Sequence, residues 1–147
     1  MASRPDWCFN QAGGLPYFDE AGQPRVVLVT SRSAKKWIFP KGIIDPGETD
    51  RTTAQKEALE EAGVIGSVVG DALGSYEQAK WGGVAQITIF PLLCTSVLDD
   101  WEDFGARQRQ VLSLEDAIKI VHEPLRPVLQ ELERALADGA VPIQPLR

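Results

Sequence analysis

GIIDPGETDRTTAQKEALEEAGV, residues 42–64, is the stretch whose reading decides the fold. It passes from a Gly- and Pro-containing loop into a run free of both, which ends at Gly63. The pattern predicts a helix over Asp50–Ala62, with the Asp50 carboxylate as its cap and Gly63 as its left-handed stop. Ala54, Ala58 and Ala62, with Leu59 beside them, recur at helical spacing and mark the packed face. Glu57, Glu60 and Glu61 stand at i, i+3 and i+4, so at about 100° per residue they share one arc next to that face. Like charges at those spacings cost a helix only about 0.2–0.5 kcal/mol per pair, so a solvated acidic face is physically possible. The constrained entry loop, with Gly42, Pro46 and Gly47, and the adjoining apolar stripe argue instead for acids along a cleft edge. Carboxylates placed there suit a hard dication, which is held by one or two of them together with substrate phosphates.

Working outward, residues 9–18 and 26–30 read as strands around the turn at 19–23, a hairpin in which Gly13 and Gly14 interrupt the first strand. Residues 31–36 form a basic loop, and 37–39 a short strand ended by Pro40. Beyond the helix, strands are expected at about 64–69, 72–79, 84–97 and 107–112. Ser113 opens a helix reaching about Val121. A last helix from about Pro124 puts Leu125, Val128, Leu129, Leu132 and Leu136 on one face, as a core-facing helix does. A strand-rich middle with helices at three points is an α/β or α+β layered domain.

The bulk properties narrow the function. The chain has 147 residues, the size of one domain, and a net charge of −6. Such acidity speaks against a general nucleic-acid coat. Five acids in residues 48–61 face only Arg51 and Lys56, so half of the negative charge sits in this one segment. Cys8 and Cys94 fall in no metal-ligand pattern and read as buried thiols of a reducing compartment. Residues 1–7 carry no apolar run and no stretch reaches the ~20 apolar residues of a span, so a cytoplasmic protein without membrane contact is expected. His122 is the only histidine, which excludes a His-based triad and a multi-His metal site. No phosphate-cradling GxxxxGK[ST] loop is present.

Gly42, Glu48 and the run Lys56-Glu57-Ala58-x-Glu60-Glu61-x-Gly63-Val64 resemble the Nudix box, G-x5-E-x7-R-E-U-x-E-E-x-G-U. Six of its fixed Gly and Glu positions match. Lys56 replaces the Arg thought to pair with the acid at Glu48, and an ammonium lacks the guanidinium fork, so that pairing should be looser. The segments Ser31-Arg32, Lys36 to Pro40, 97–103 and 114–124 are similar to the diphosphoinositol polyphosphate phosphohydrolase branch. Pro40-Lys41-Gly42 is similar to the diadenosine-polyphosphate-cleaving members.

The resemblance implies a single Nudix domain over 1–147, folded as an α/β/α sandwich around a mixed sheet, that hydrolyses a pyrophosphate linkage with Mg²⁺ or Mn²⁺. It implies Glu57, Glu61 and the Gly42 carbonyl as metal ligands and Glu60 as general base, although base and ligand roles vary across the family and Glu60 and Glu61 are interchangeable on this basis. Glu48, Lys56 and Gly63 are structural. Arg32, Lys36, Lys41, Arg107 and Arg109 are candidates for binding substrate phosphates. The expected partner is a small phosphate-rich substrate, and no oligomeric state is specified. Glu123 stands where the inositol branch has a Lys, and residues 78–84 lack its run of basic residues. Trp81 instead offers a face for a base, which favours a nucleoside-diphosphate-type or dinucleoside polyphosphate substrate. The alternatives are a diphosphoinositol substrate, an RNA 5′ end, and a non-catalytic nucleotide-binding module.

Overall fold

The computed structural model describes residues 4–33 and 35–147. Residues 1–3 of the expected leaderless N-terminus and Ala34 of the basic loop lie outside the described residues.

Two β-branched and apolar segments make the centre. β1 (Asn10–Glu20) turns through Ala21 and Gly22, both at positive φ, into antiparallel β2 (Gln23–Thr30). Two consecutive left-handed residues are what a tight hairpin turn requires. Gly13 and Gly14 do not interrupt β1: a Cβ on Gly13 would lie 2.3 Å from the Pro40 carbonyl oxygen, so this glycine lets a neighbouring segment press against the strand. That segment supplies β3 (Trp37–Ile38), paired with β2, and β4 (Lys41–Ile43), paired with β1. The sequence did not suggest β4, whose three residues are too few to carry a period.

β5 (Val64–Val68) and β6 (Gly74–Lys80) both pair antiparallel with the long β7 (Gly83–Val97), and β8 (Arg109–Ser113) pairs with β2. Of the strands named, β1 and β7 pair in parallel, so the eight-stranded sheet is mixed and runs β3-β2-β1-β7-β5 through its core.

Alternation along the strands sends side chains to opposite faces. Tyr17, Val26, Leu28, Ile87 and Ile89 meet α2 (Leu114–Ile120) and α3 (Arg126–Ala137) on one side. Phe18, Val27, Val29, Leu92 and Cys94 meet α1 (Asp50–Ala62) on the other. The α/β/α sandwich is therefore the fold. Both cysteines are free and buried. Among the described residues, no helix is long and apolar enough to cross a membrane.

α1 differs from expectation at one end. Its cap is Thr49, not Asp50: the Thr49 hydroxyl accepts from the Thr52 N–H, and the Thr52 hydroxyl oxygen accepts from the Thr49 N–H. Asp50, already inside the helix, adds negative charge to the first turn, where the helix dipole favours it. The C-terminal reading holds, with Gly63 left-handed at φ 65°.

Candidate active site

α1 docks on the sheet through Ala54, Ala58 and Ala62, all fully buried. Taking Glu57 as origin on the helical wheel, these alanines centre about 100° away, Glu61 lies about 40° towards them and Glu60 about 60° away from them. Docking therefore sorts the three acids by depth. The Glu61 side chain is sunk to 12% exposure. Glu57 is half-buried beside it, and both line a cavity of about 580 Å³ between the β3–β4 segment, the β6–β7 hairpin and residue 107. Glu60 is not among the residues lining that cavity.

Gly42 explains how Glu57 fits. A Cβ at this position would fall 2.0 Å from Glu57 Oε1 and 2.3 Å from its Cδ. The carboxylate thus occupies the space that any other residue's side chain would take. Burial, then the neighbouring Glu61 and Glu60, push the Glu57 carboxyl up to about 8. Glu61 is raised chiefly by burial too, although the Arg107 charge and a backbone hydrogen bond work against the shift. Its Oε1 accepts from the Lys41 N–H at 3.0 Å, and its Oε2 pairs with Arg107 at 3.2 Å.

The cations separate into two groups. Arg32, Lys36, Lys41 and Arg107 line the cavity with the two acids, and Lys80 joins them from the β6–β7 hairpin. Burial lowers Lys41 to about 8, against the pull of Glu61 and Glu57, and its Nζ donates to Gln11 Oε1 at 3.3 Å. Arg109 goes elsewhere. Its guanidinium donates to the carbonyls of Ala62 (2.9 Å) and Leu98 (2.7 Å) and stacks on Trp101 at 4.1 Å. It closes the C-terminal end of α1, where orphan carbonyls and the helix dipole attract a cation.

Lys56 likewise departs from the pairing expected for it. It reaches Asp45 at 3.4 Å, while Glu48 accepts from the Thr52 hydroxyl at 3.1 Å. A single ammonium has no fork with which to hold both acids. Glu123 does not line the cavity; His122, Pro124 and Leu125 do.

Asp103 is the functional group the sequence reading missed. Placed in an acidic loop, it reads as solvated, yet its side chain is 10% exposed. Its two oxygens accept from Arg32 and from Arg107 Nε, each at 2.9 Å, while Arg107 also donates to the Thr30 carbonyl at 3.0 Å. Burial disfavours the Asp103 carboxylate, but these hydrogen bonds outweigh it and hold the group below its ordinary range. One carboxylate thereby binds together two arginines from distant segments. The i, i+4 relation of Asp103 to Arg107 was the only signal in the sequence.

The NUDIX domain model matches residues 10–132. The chain belongs to the Nudix family. Among curated relatives, this Nudix protein is 33% identical over 134 residues to a Bos taurus diphosphoinositol polyphosphate phosphohydrolase 3-beta, covering 88% of this chain and 80% of the relative. It is 34% identical over 125 residues to a Mus musculus diphosphoinositol polyphosphate phosphohydrolase 3-alpha, covering 82% and 75%. Among solved structures, the Nudix fold seen here matches a C. elegans Ap4A hydrolase with a TM-score of 0.73 over 86% of this chain and 97% of that one, at 23% identity. The Nudix chain is thus a hydrolase of this family by sequence, and the structural match adds agreement of fold.

Proposed function

We propose that this Nudix hydrolase cleaves a pyrophosphate linkage in a nucleotide-type substrate, a nucleoside diphosphate derivative or a dinucleoside polyphosphate, as a single domain over 1–147. The observation that carries this reading is one cavity in which Glu57 and Glu61 lie beside Lys41 and Arg107, with Trp81 in the same wall.

The donor set fits a hard dication, Mg²⁺ or Mn²⁺. Two carboxylates suffice where substrate phosphates complete the shell, and Glu57, kept neutral by burial, is a group that a cation would ionise. Glu57, Glu61 and the Gly42 carbonyl would hold it. Among the described residues no three His, Cys, Asp or Glu side chains are gathered as a cluster, and Glu61 pairs with Arg107 and accepts from the Lys41 N–H. A dication held by Glu61 would compete with one Arg107 nitrogen for Oε2, while Asp103 and the Thr30 carbonyl would keep that guanidinium in place. A bound dication supplies charge neutralisation and a more acidic water.

The chain's own part is to orient the phosphates. Arg32 and Arg107 are held side by side by Asp103, and Lys41 projects from β4. For the base, the resemblance points to Glu60, whereas position in the cavity favours Glu61. The variant that loses the base should lose at least a hundredfold in kcat with metal affinity retained; the variant that loses a ligand should lose metal affinity first.

A second reading has its own support: the relatives at 33–34% identity are named for diphosphoinositol polyphosphates, and five cations surround the cavity. Incubation with nucleoside diphosphate derivatives, dinucleoside polyphosphates, a diphosphoinositol polyphosphate and a 5′-triphosphorylated oligonucleotide, with and without each metal, tests both. Metal-dependent cleavage of the nucleotides by at least tenfold in kcat/KM over the inositol compound is expected. The reverse preference would favour the second reading, and binding without cleavage a non-catalytic module.

A further inference from the structure

A buried amide lines the cavity of the candidate active site. Gln11, near the start of β1, is 2% exposed and forms part of the cavity wall. An amide withdrawn from water needs a hydrogen-bond partner. Thr30, also buried, finds one in the scaffold, its hydroxyl accepting from the Gln108 N–H at 2.9 Å. Gln11 is partnered by a side chain of the site. Its Oε1 accepts from Lys41 Nζ at 3.3 Å.

Strand register brings the two together. β1 and β4 pair antiparallel, with Gln11 opposite Ile43 and Gly13 opposite Lys41. Residues two apart on a strand share a face, so Gln11 and Lys41 are diagonal neighbours within reach of long side chains. Gly13 keeps the space between them open, since a Cβ there would lie 2.7 Å from Lys41 Cβ. The choice of partner is the informative part. A carboxylate is a stronger acceptor for an ammonium than an amide is, and Glu57 and Glu61 line the same cavity and attract Lys41. Among the described residues, however, the Lys41 ammonium pairs with neither acid. The Lys41 main-chain N–H donates to Glu61 Oε1, Arg107 takes Glu61 Oε2, and Lys41 Nζ goes to the neutral amide.

We infer that Gln11 is a positioning residue that holds the Lys41 ammonium off the metal-binding carboxylates. This rests on the reading of Glu57 and Glu61 as ligands of a dication. A lysine free to swing would pair with one of them and occupy the oxygens that a cation needs. The amide carries no charge of its own, so Lys41 keeps its full charge for a phosphate, which an acid at position 11 would cancel. Gln11 thereby lets phosphate binding by Lys41 and metal binding by Glu57 and Glu61 share one cavity.

The test measures metal binding directly. Mn²⁺ is titrated into the full chain without substrate, and the free ion is read from its electron paramagnetic resonance signal. Gln11→Met and Gln11→Leu replace the amide by an apolar side chain of similar size and remove its carbonyl oxygen. Each should weaken Mn²⁺ binding about tenfold, equivalent to about 1.4 kcal/mol, with Tm within about 4 °C of wild type. Lys41→Met should bind Mn²⁺ at least as tightly as wild type. Gln11→Met added to Lys41→Met should change nothing further, because no ammonium is left to compete. A purely structural role for Gln11 would weaken binding equally in both backgrounds. Mn²⁺ affinity within about twofold of wild type in both Gln11 variants, or a tenfold loss that persists in the Lys41→Met background, refutes the inference while the metal site stands. If wild-type protein binds no Mn²⁺, or if Glu57→Gln and Glu61→Gln leave its affinity unchanged, the metal reading itself is overturned and the role of Gln11 with it.

Discussion

Gly42→Ala is the sharpest perturbation of the candidate site, because its effect is computed from one contact. The new Cβ would lie 2.0 Å from Glu57 Oε1, 2.3 Å from Cδ and 2.9 Å from Cγ. Ordinary carbon contacts settle at about 3.5–4.0 Å, so the carboxylate must withdraw by more than about 1 Å. The rest of the fold has no reason to object. Gly42 does not have positive φ, β4 is extended, and the atoms displaced are the free end of a flexible side chain. Replacing glycine where alanine fits the backbone changes stability by about 1 kcal/mol or less, or about 2–4 °C in Tm for a chain of this size. A catalytic group misplaced by about 1 Å costs about a hundredfold in rate. Steady-state kinetics with Mg²⁺ and a thermal melt should therefore show kcat/KM down at least a hundredfold with Tm within about 4 °C of wild type. Glu57→Ala supplies the control. It removes every atom that the new Cβ meets, so Gly42→Ala added to Glu57→Ala should cost almost nothing more, a strong non-additivity. Wild-type-like turnover of Gly42→Ala, or fully additive losses in the double variant, would refute the reasoning.

The remaining predictions address neighbouring groups. The Glu57 carboxyl sits near 8 in the fold against an ordinary 4.5, so its own contribution favours the metal-free fold at acid pH and is lost as pH rises through 8. Glu57→Gln, neutral throughout, should thus raise the Tm of EDTA-treated protein at pH 9 and change it little at pH 4.5; a larger gain at acid pH would contradict this. Asp103→Asn should raise KM about tenfold with a smaller loss in kcat, because both arginines lose their anchor, and a calorimetric melt should show a moderate loss of stability. Arg109→Met should lower Tm by about 4–8 °C, through two charged hydrogen bonds of about 1.5–3 kcal/mol each partly replaced by packing, while KM stays within threefold. A raised KM at unchanged Tm would restore Arg109 to the substrate.

Much of this protein was settled by local rules written into the chain. The absence of glycine and proline from residues 50–62 and the left-handed Gly63 bound α1, and the alanine spacing sets which face it buries. Residues 42–64 also carry enough fixed glycines and acids to identify the family. Helical spacing alone puts Glu57, Glu60 and Glu61 in one arc, but an arc has no inside until something packs beside it. Docking of Ala54, Ala58 and Ala62 on the sheet sank Glu61, half-buried Glu57 and left Glu60 outside the cavity. The separation of Arg107 from Arg109, two residues apart in one segment, has the same origin. The first turns to Asp103 and Glu61, and the second to the carbonyls at the end of α1. Neither the parallel β1–β7 pairing nor the clamp from Asp103 to Arg32, 71 positions away, leaves a local trace. Contacts between distant segments depend on the whole sheet closing, so the sequence determined which groups are available and the tertiary structure decided which of them meet.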